Sequence, residues 1–102
     1  MTISDATKII ADCQGRSMQC WDMAIDTADT QAAKEAWRAD AEACDAHYDA
    51  ALECLEGRPD EWLEDARREL ENASQLEKDG GDNQHAQRAL AALDALTDRG
   101  DG

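Results

Sequence analysis

The middle third of the chain carries a row of carboxylates at helical spacing. Successive members are separated by steps of three or four residues, so an α-helix would align their side chains along one face. The chemistry open to such a row is electrostatic, because fixed anionic groups attract cations and basic protein surfaces. The row, called the stripe below, consists of Glu42, Asp45, Asp49, Glu53 and Glu56.

The stripe belongs to a chain with a large negative charge. The 102 residues include 24 acidic and 10 basic side chains, which gives a formal net charge of -14. Such a charge repels nucleic-acid phosphates and anionic lipid, so we expect no direct contact with nucleic acid or a membrane. The expected partner is the basic surface of a nucleic-acid-binding protein. If the first two helices form a hairpin, three more acids extend the patch: Asp22, Asp26 and Asp29.

The spacing of the stripe is close to that of a nucleic-acid backbone. In a helix it would be about 21 Å long, with one carboxylate every 4 to 5 Å or so, whereas a DNA strand has one phosphate about every 3.4 Å. In size, charge and lack of motif the chain resembles small acidic anti-restriction and anti-CRISPR proteins of phages and mobile elements. That resemblance implies a non-enzymatic inhibitor that mimics nucleic acid.

Acidity of this kind also arises without any role in binding. Outward helix faces are normally charged, and 15 Asp and 9 Glu against 3 Lys also resemble the composition of proteins from salt-loving organisms. A second class of function is a helical adaptor, immunity or chaperone-like protein whose partner contacts apolar hairpin surface. A third is a metal- or redox-responsive bundle that uses the four cysteines.

The cysteines are placed so that two helices could bring them together. In an antiparallel hairpin of the first two helices, Cys20 would face Cys44 and Cys13 would face Cys54. This geometry resembles the twin-cysteine helical hairpins of mitochondrial intermembrane proteins, which are held by two disulfides, although the first pair is closer in sequence than in that family. In a reducing cytoplasm the same residues would be small apolar side chains, with Cys13 and Cys44 on the core faces.

Motifs for metal binding and catalysis are missing. Zinc sites usually contain closely spaced cysteine pairs, which this chain lacks, and Cys44 occupies the position where a di-iron Glu-x-x-His motif would need its glutamate. Neither His47 nor His85 has a nucleophile at a diagnostic spacing, and there is no glycine-rich phosphate loop. We therefore predict no metal, no cofactor and no enzymatic activity.

Helices must position all of these groups. Alanine supplies twenty residues while Phe and Val are absent, a composition that favours helix over strand. Short polar connections favour antiparallel neighbours, so we predict an all-α, four-helix antiparallel bundle made of a long hairpin (about 4–56) and a shorter one (about 60–97). Gly57 is the predicted C-terminal cap of the second helix and Pro59 begins the third. The predicted helices run from Ser4, as N-cap, to Thr27, from Thr30 to Glu56, from Asp60 to Lys78 and from Gln84 to Thr97.

The predicted core follows one apolar line on each helix, with three tryptophans, Trp21, Trp37 and Trp62, as its large anchors. The lines of the long hairpin include Ser17, Trp21, Ala24 and Ala28 on the first helix and Ala33, Trp37, Ala41, Cys44 and Tyr48 on the second. We expect one domain over 1–97 and a disordered tail over 98–102. No apolar run approaches a membrane span and no signal segment is present, which predicts a cytoplasmic protein. We expect it to be a monomer or a homodimer.

Overall fold

The computed structural model describes residues 2–57, 61–80 and 84–98. These residues form four α-helices, and no strand occurs in the described ranges. Each helix packs against the next along the chain, and the last packs against the first, which closes the ring. The predicted all-α four-helix bundle is confirmed. The helices are α1 (Ile3–Thr27), α2 (Gln31–Gly57), α3 (Trp62–Asp79) and α4 (Gln84–Asp98).

The start of α1 differs from the prediction. Its N-cap is Thr2, not Ser4, because only Thr2 has an acid at the third helical position. The Thr2 hydroxyl accepts a hydrogen bond from the Asp5 amide at 3.1 Å, and the Asp5 carboxylate accepts one from the Thr2 amide at 3.4 Å. These hydrogen bonds lower the pKa of Asp5. At the start of α2, the Thr30 hydroxyl accepts from the Ala33 amide at 3.0 Å.

The other helix ends lie near their predicted positions. Helix α2 runs through Gly57, which is therefore its last residue and not a cap beyond it, while Pro59 and the predicted start at Asp60 lie outside the described residues. Helix α4 runs through Asp98, one residue past its predicted end at Thr97, so Asp98 belongs to the helix and not to the predicted tail. The last residues, 99–102, also lie outside the described part of the chain.

The core depends on aliphatic and small residues more than on tryptophan. The largest fully buried side chains include Tyr48, Ile10, Leu55, Leu70 and Leu93. Of the three predicted anchors only Trp21 is buried, while Trp37 and Trp62 pack against the core from partly exposed positions. Trp62 is the first residue of α3, and Trp37 contacts Trp21 near the level where α3 ends. Six fully buried alanines let the helices approach closely: Ala6, Ala51, Ala66, Ala73, Ala86 and Ala89.

Helices α1 and α2 project beyond the other two. The Cys20 sulfur lies 3.3 Å from His85 Nε2, next to the start of α4, and a Cβ placed on Gly80, at the end of α3, would lie 3.0 Å from Cη2 of Trp21. Among the described residues, only those of the first two helices continue past this level, as a helical hairpin that we call the arm (residues 22–40). No residue of the arm is buried. No helix in the described ranges is long and apolar enough to cross a bilayer.

Candidate partner-binding surface

The stripe lies on a single continuous helix. All five of its members fall within α2, and four of them are exposed while Asp45 is half-buried. Since α2 is unbroken from Gln31 to Gly57, the helical period places the five carboxylates along one side of it over about 21 Å. The row that the sequence predicts is therefore present as a row.

A glutamine from α1 holds the middle of the stripe. The side-chain amide of Gln14 donates hydrogen bonds to Oδ1 of Asp45 at 2.7 Å and to Oδ1 of Asp49 at 2.8 Å. The same nitrogen lies 3.4 Å from the Asp45 carbonyl oxygen. A neutral amide fixes the two carboxylates without cancelling their charge, and it ties the stripe to the groove between α1 and α2. This pairing shows no sequence signal, because the residues are more than thirty positions apart.

The ion pairs of the bundle are formed elsewhere. Among the described residues, no lysine, arginine or histidine forms an ion pair with a stripe carboxylate. Asp12 pairs with Arg16 at 2.9 Å and with Arg88 at 3.3 Å, and the hydrogen bond from Arg16 lowers the pKa of Asp12. Asp94 pairs with Arg67 at 2.5 Å. Within the described structure the stripe carboxylates thus form no ion pair.

One member of the stripe, Glu53, lies next to α3. Glu53 lines an open groove between α2 and α3 together with Asp65 and Glu69. Two of these acids have basic neighbours, since Asp65 lies 3.6 Å from Arg68 and Glu69 lies 2.8 Å from Nδ1 of His47. The stripe therefore contacts α1 through its middle and borders a second acidic groove through Glu53.

The three acids predicted to extend the patch lie on the arm. Asp22, Asp26 and Asp29 are all exposed. The contact of Trp21 with Trp37, whose ring centroids are 5.8 Å apart, sets the register between α1 and α2. It places Asp22 near the level of Trp37, about one and a half turns before Glu42, and places the other two acids farther from the stripe.

Two bases separate this second group of acids from the stripe. Lys34 and Arg38 precede Glu42 at steps of four, on the stripe side of α2. The structure therefore brings together the five acids of α2, but it does not join Asp26 and Asp29 to them in one uninterrupted patch.

No disulfide joins the four cysteines, and the facing pairs considered for them are not formed. Cys44 is buried with its sulfur 3.7 Å from the Ser17 hydroxyl, whereas Cys20 is exposed on the other flank of α1, beside His85. The facing pairs of the twin-cysteine hairpin, one of the alternatives that the sequence left open, are not formed, because Cys20 turns toward α4 while Cys44 turns inward. Burial raises the pKa of Cys44 to about 11 and also raises that of Cys13. These two thiols are core side chains, as expected.

A buried carboxylate is the main polar feature that the sequence did not reveal. Glu77 of α3 is 3% exposed; its Oε2 accepts from the Tyr48 hydroxyl at 2.6 Å and its Oε1 accepts from the Ala86 amide in the first turn of α4 at 3.0 Å. Burial first and Glu77 second raise the pKa of Tyr48. The available signal was a glutamate at a core position of α3, four residues after the buried Ala73. Glu77 links three helices and caps one of them.

The pair formed by Cys20 and His85 is the other feature that sequence spacing missed, since 65 positions separate the two residues. The pair lies at the rim of a small pocket whose lining also includes Trp21, Glu77 and Gly80. Across the described residues, no group of three or more His, Cys, Asp or Glu side chains is arranged to hold a metal ion.

Comparison with known proteins gives no relative from which a role could be transferred. No family model, no curated protein and no solved structure matches this chain.

Proposed function

We propose that this protein is a non-enzymatic inhibitor that binds the nucleic-acid site of a basic nucleic-acid-handling protein. The observation that carries the proposal is the stripe: five carboxylates on one side of α2, with the middle pair fixed by Gln14 and no described cation paired to any of them. A restriction endonuclease or a CRISPR effector is the class of target that the composition implies.

The gain in free energy comes from the same source as the binding of nucleic acid. A basic cleft holds counterions that are released when a polyanion enters it, and an ordered row of carboxylates releases them in the same way. Order matters, because charges that are already fixed lose little conformational freedom on binding. The hydrogen bonds from Gln14 to Asp45 and Asp49 provide such order in the centre of the row.

The neighbouring acids widen the anionic surface. Asp65 and Glu69 line the groove beside Glu53, so a basic surface that covers the stripe would also meet carboxylates of α3. The flanking Lys34 and Arg38 limit the surface at its other end. The proposed contact is therefore centred on the second half of α2, with α3 beside it.

The first experiment identifies the target. The protein would be immobilised and partners collected from cytosol at low and at high salt, because contacts between exposed charges weaken as salt screens them. Nucleic-acid-binding proteins that are retained at low salt and released as salt rises would then be purified and tested for inhibition of their activity on DNA or RNA.

The decisive experiment compares two variants that lose the same number of charges. The stripe variant carries Glu42→Gln, Asp45→Asn, Asp49→Asn and Glu53→Gln. The control variant removes four exposed acids of α3 and its start, through Glu61→Gln, Glu64→Gln, Glu71→Gln and Asp79→Asn. We expect the stripe variant to lose inhibition while the control keeps most of it, with circular dichroism showing equal helix content. If both variants lose inhibition to the same extent, net charge alone acts, and the proposal fails. If both keep it, the stripe is not the contact, and the proposal fails as well.

A further inference from the structure

The arm exposes part of the line that forms the core elsewhere. On α1, Ala24 and Ala28 continue the line of Ser17 and Trp21, and on α2, Ala33 and Trp37 lead into that of Ala41 and Cys44. In the body of the bundle α3 and α4 cover these lines. In the arm, Ala24 still borders the end of the body, where it lines a pocket with Gly80 and His85. All four arm residues on these lines are partly buried. We call these four residues the open face: Ala24, Ala28, Ala33 and Trp37.

A large apolar side chain is exposed on the arm. Met23 follows Cys20 by one turn, just beyond the start of α4, and its exposure of 68% sets it apart from the other large apolar side chains in the described ranges. Ile25 and Trp37 are partly buried and pack against the core. Met23 alone is an ordinary surface feature, so a contact site is indicated by the open face and its charge.

We propose that the open face binds an amphipathic, basic α-helix of the partner protein, with the apolar side of that helix laid against Ala33 and Trp37. The inference rests on the proposed function, because it takes the partner to be basic, and it adds a second contact that is apolar. The same partner would thus bind the stripe by electrostatic attraction and bind the arm by burying apolar side chains against the open face.

A helix fits this face because the body of the bundle shows the same arrangement. Helix α3 packs along α2 up to Gly80, where the indole of Trp21 marks the end of the cover. An added helix would continue that layer along the arm. The arm extends about 10 to 14 Å past this level, which corresponds to two or three turns of the bound helix.

Charge selects a basic helix over a second copy of this chain. The arm has five acidic and two basic side chains, for a net charge of -3, and the whole chain has -14. Both bases, Lys34 and Arg38, lie on the stripe side of α2, whereas Asp40 follows Trp37 by one turn and flanks the open face. Two copies would repel each other, while a cationic helix would be attracted.

The test uses two synthetic peptides and two matched variants. One peptide is a Leu/Lys amphipathic helix of about 18 residues, or five turns, and the other has the same composition in scrambled order. Ala33→Glu places a charge on the open face, and Ala39→Glu places the same charge two residues beyond Trp37, on the opposite and exposed side of α2. Calorimetric titration at physiological salt gives the affinity of each protein for each peptide.

We expect the unmodified protein and Ala39→Glu to bind the amphipathic peptide at least about tenfold more tightly than the scrambled one, because only the first peptide buries apolar side chains. Ala33→Glu should lose this preference. If Ala33→Glu and Ala39→Glu both bind the two peptides equally well, attraction is electrostatic only and the inference is wrong.

Two other occupants of the open face are distinguished by the same variants. Dimerisation in sedimentation equilibrium that Ala33→Glu abolishes and Ala39→Glu preserves would show that a second copy covers the face. Binding to neutral phosphatidylcholine vesicles with the same dependence would show a membrane contact. Either result overturns the inference. The proposed function is judged separately, because inhibition that the stripe variant loses and Ala33→Glu retains would support the stripe and reject the arm.

Discussion

The Tyr48 hydroxyl donates a hydrogen bond of 2.6 Å to Oε2 of Glu77 in the interior of the bundle. Tyr48 is fully buried, and the carboxylate that it contacts also accepts from the first turn of α4. In the described ranges no buried side-chain nitrogen or oxygen lacks a partner. The pair therefore joins α2, α3 and α4 through one satisfied carboxylate, and removing a donor leaves that carboxylate short of a hydrogen bond.

Tyr48→Phe should lower the free energy of unfolding by about 2 kcal/mol, because it removes a donor to a buried acceptor. Urea denaturation measures the loss. His47→Gln is the matched control on the same helix, since the contact of His47 with Glu69 is part-exposed and its removal should cost less than about 1 kcal/mol. A larger loss for His47→Gln would contradict the role given to the Tyr48–Glu77 pair.

Alkaline pH should destabilise the protein through its buried thiols and phenol. Burial raises the pKa of Cys44 from its ordinary value of 9.0 to about 11 and raises that of Tyr48 above its ordinary value of 10.0. In both groups the folded state favours the protonated form. Their contribution is thus fully present below the ordinary value and is lost as the pH rises toward the folded value.

Denaturation curves recorded at several values between pH 8 and about 11 measure this effect. For Cys44 the loss should approach about 2 kcal/mol by pH 11. Cys44→Ala should flatten the dependence above pH 9, where only the unfolded chain of the parent ionises the thiol. A profile that Cys44→Ala leaves unchanged would show that the thiol does not contribute.

The same substitution at two glycines should have opposite effects. Gly15 is exposed inside α1 with nothing within 4 Å of an added Cβ, so Gly15→Ala should raise the free energy of unfolding by about 0.5 to 1 kcal/mol. At Gly80 an added Cβ would lie 3.0 Å from Cη2 and 3.1 Å from Cζ3 of Trp21. Gly80→Ala should therefore cost about 1 kcal/mol or more and change the fluorescence of Trp21, whereas a gain in stability would mean that the end of α3 does not pack on the indole.

Alkylation should distinguish the four cysteines. Cys20 is exposed and has an imidazole nitrogen beside its sulfur, Cys54 is partly buried, and Cys13 and Cys44 are buried with raised pKa values. Iodoacetamide followed by mass spectrometry should label Cys20 first, because its sulfur is exposed while those of Cys13 and Cys44 are buried. Early labelling of Cys44 in the folded protein would contradict its place in the core.

The helices were predictable because the apolar and acidic residues keep a helical period over long segments. The periods of Ala41, Cys44 and Tyr48 on α2 and of Ala66, Leu70 and Ala73 on α3 mark faces that the structure buries. The N-cap of α1 was misplaced because serine has the higher intrinsic preference for this position, and only the capping box with Asp5 favours Thr2.

What the sequence could not provide is the register between helices. Trp37 continues the apolar periodicity of α2. That periodicity does not show that α3 ends near the level of Trp37. In the same way, the sequence of α3 does not show that Glu77 binds Tyr48 and the start of α4, because those contacts depend on how the helices align. The stripe was predictable as a row on one helix, but its contact with Gln14 and its separation from Asp26 and Asp29 depend on how α1 and α2 align.

Gln14→Lys tests whether the charge of the stripe, and not merely its shape, binds the partner. The new ammonium group would lie between Asp45 and Asp49 in place of the neutral amide, where ion pairs would raise stability slightly, by less than about 1 kcal/mol. Partner affinity should nevertheless fall by about tenfold, because the centre of the row would be neutralised. Gln19→Lys adds the same charge at an exposed position of α1 away from α2 and should leave affinity nearly unchanged. For Gln14→Lys the free energy of unfolding should rise while partner affinity falls, so misfolding cannot explain the loss of binding. Unchanged inhibition would show that the partner binds elsewhere.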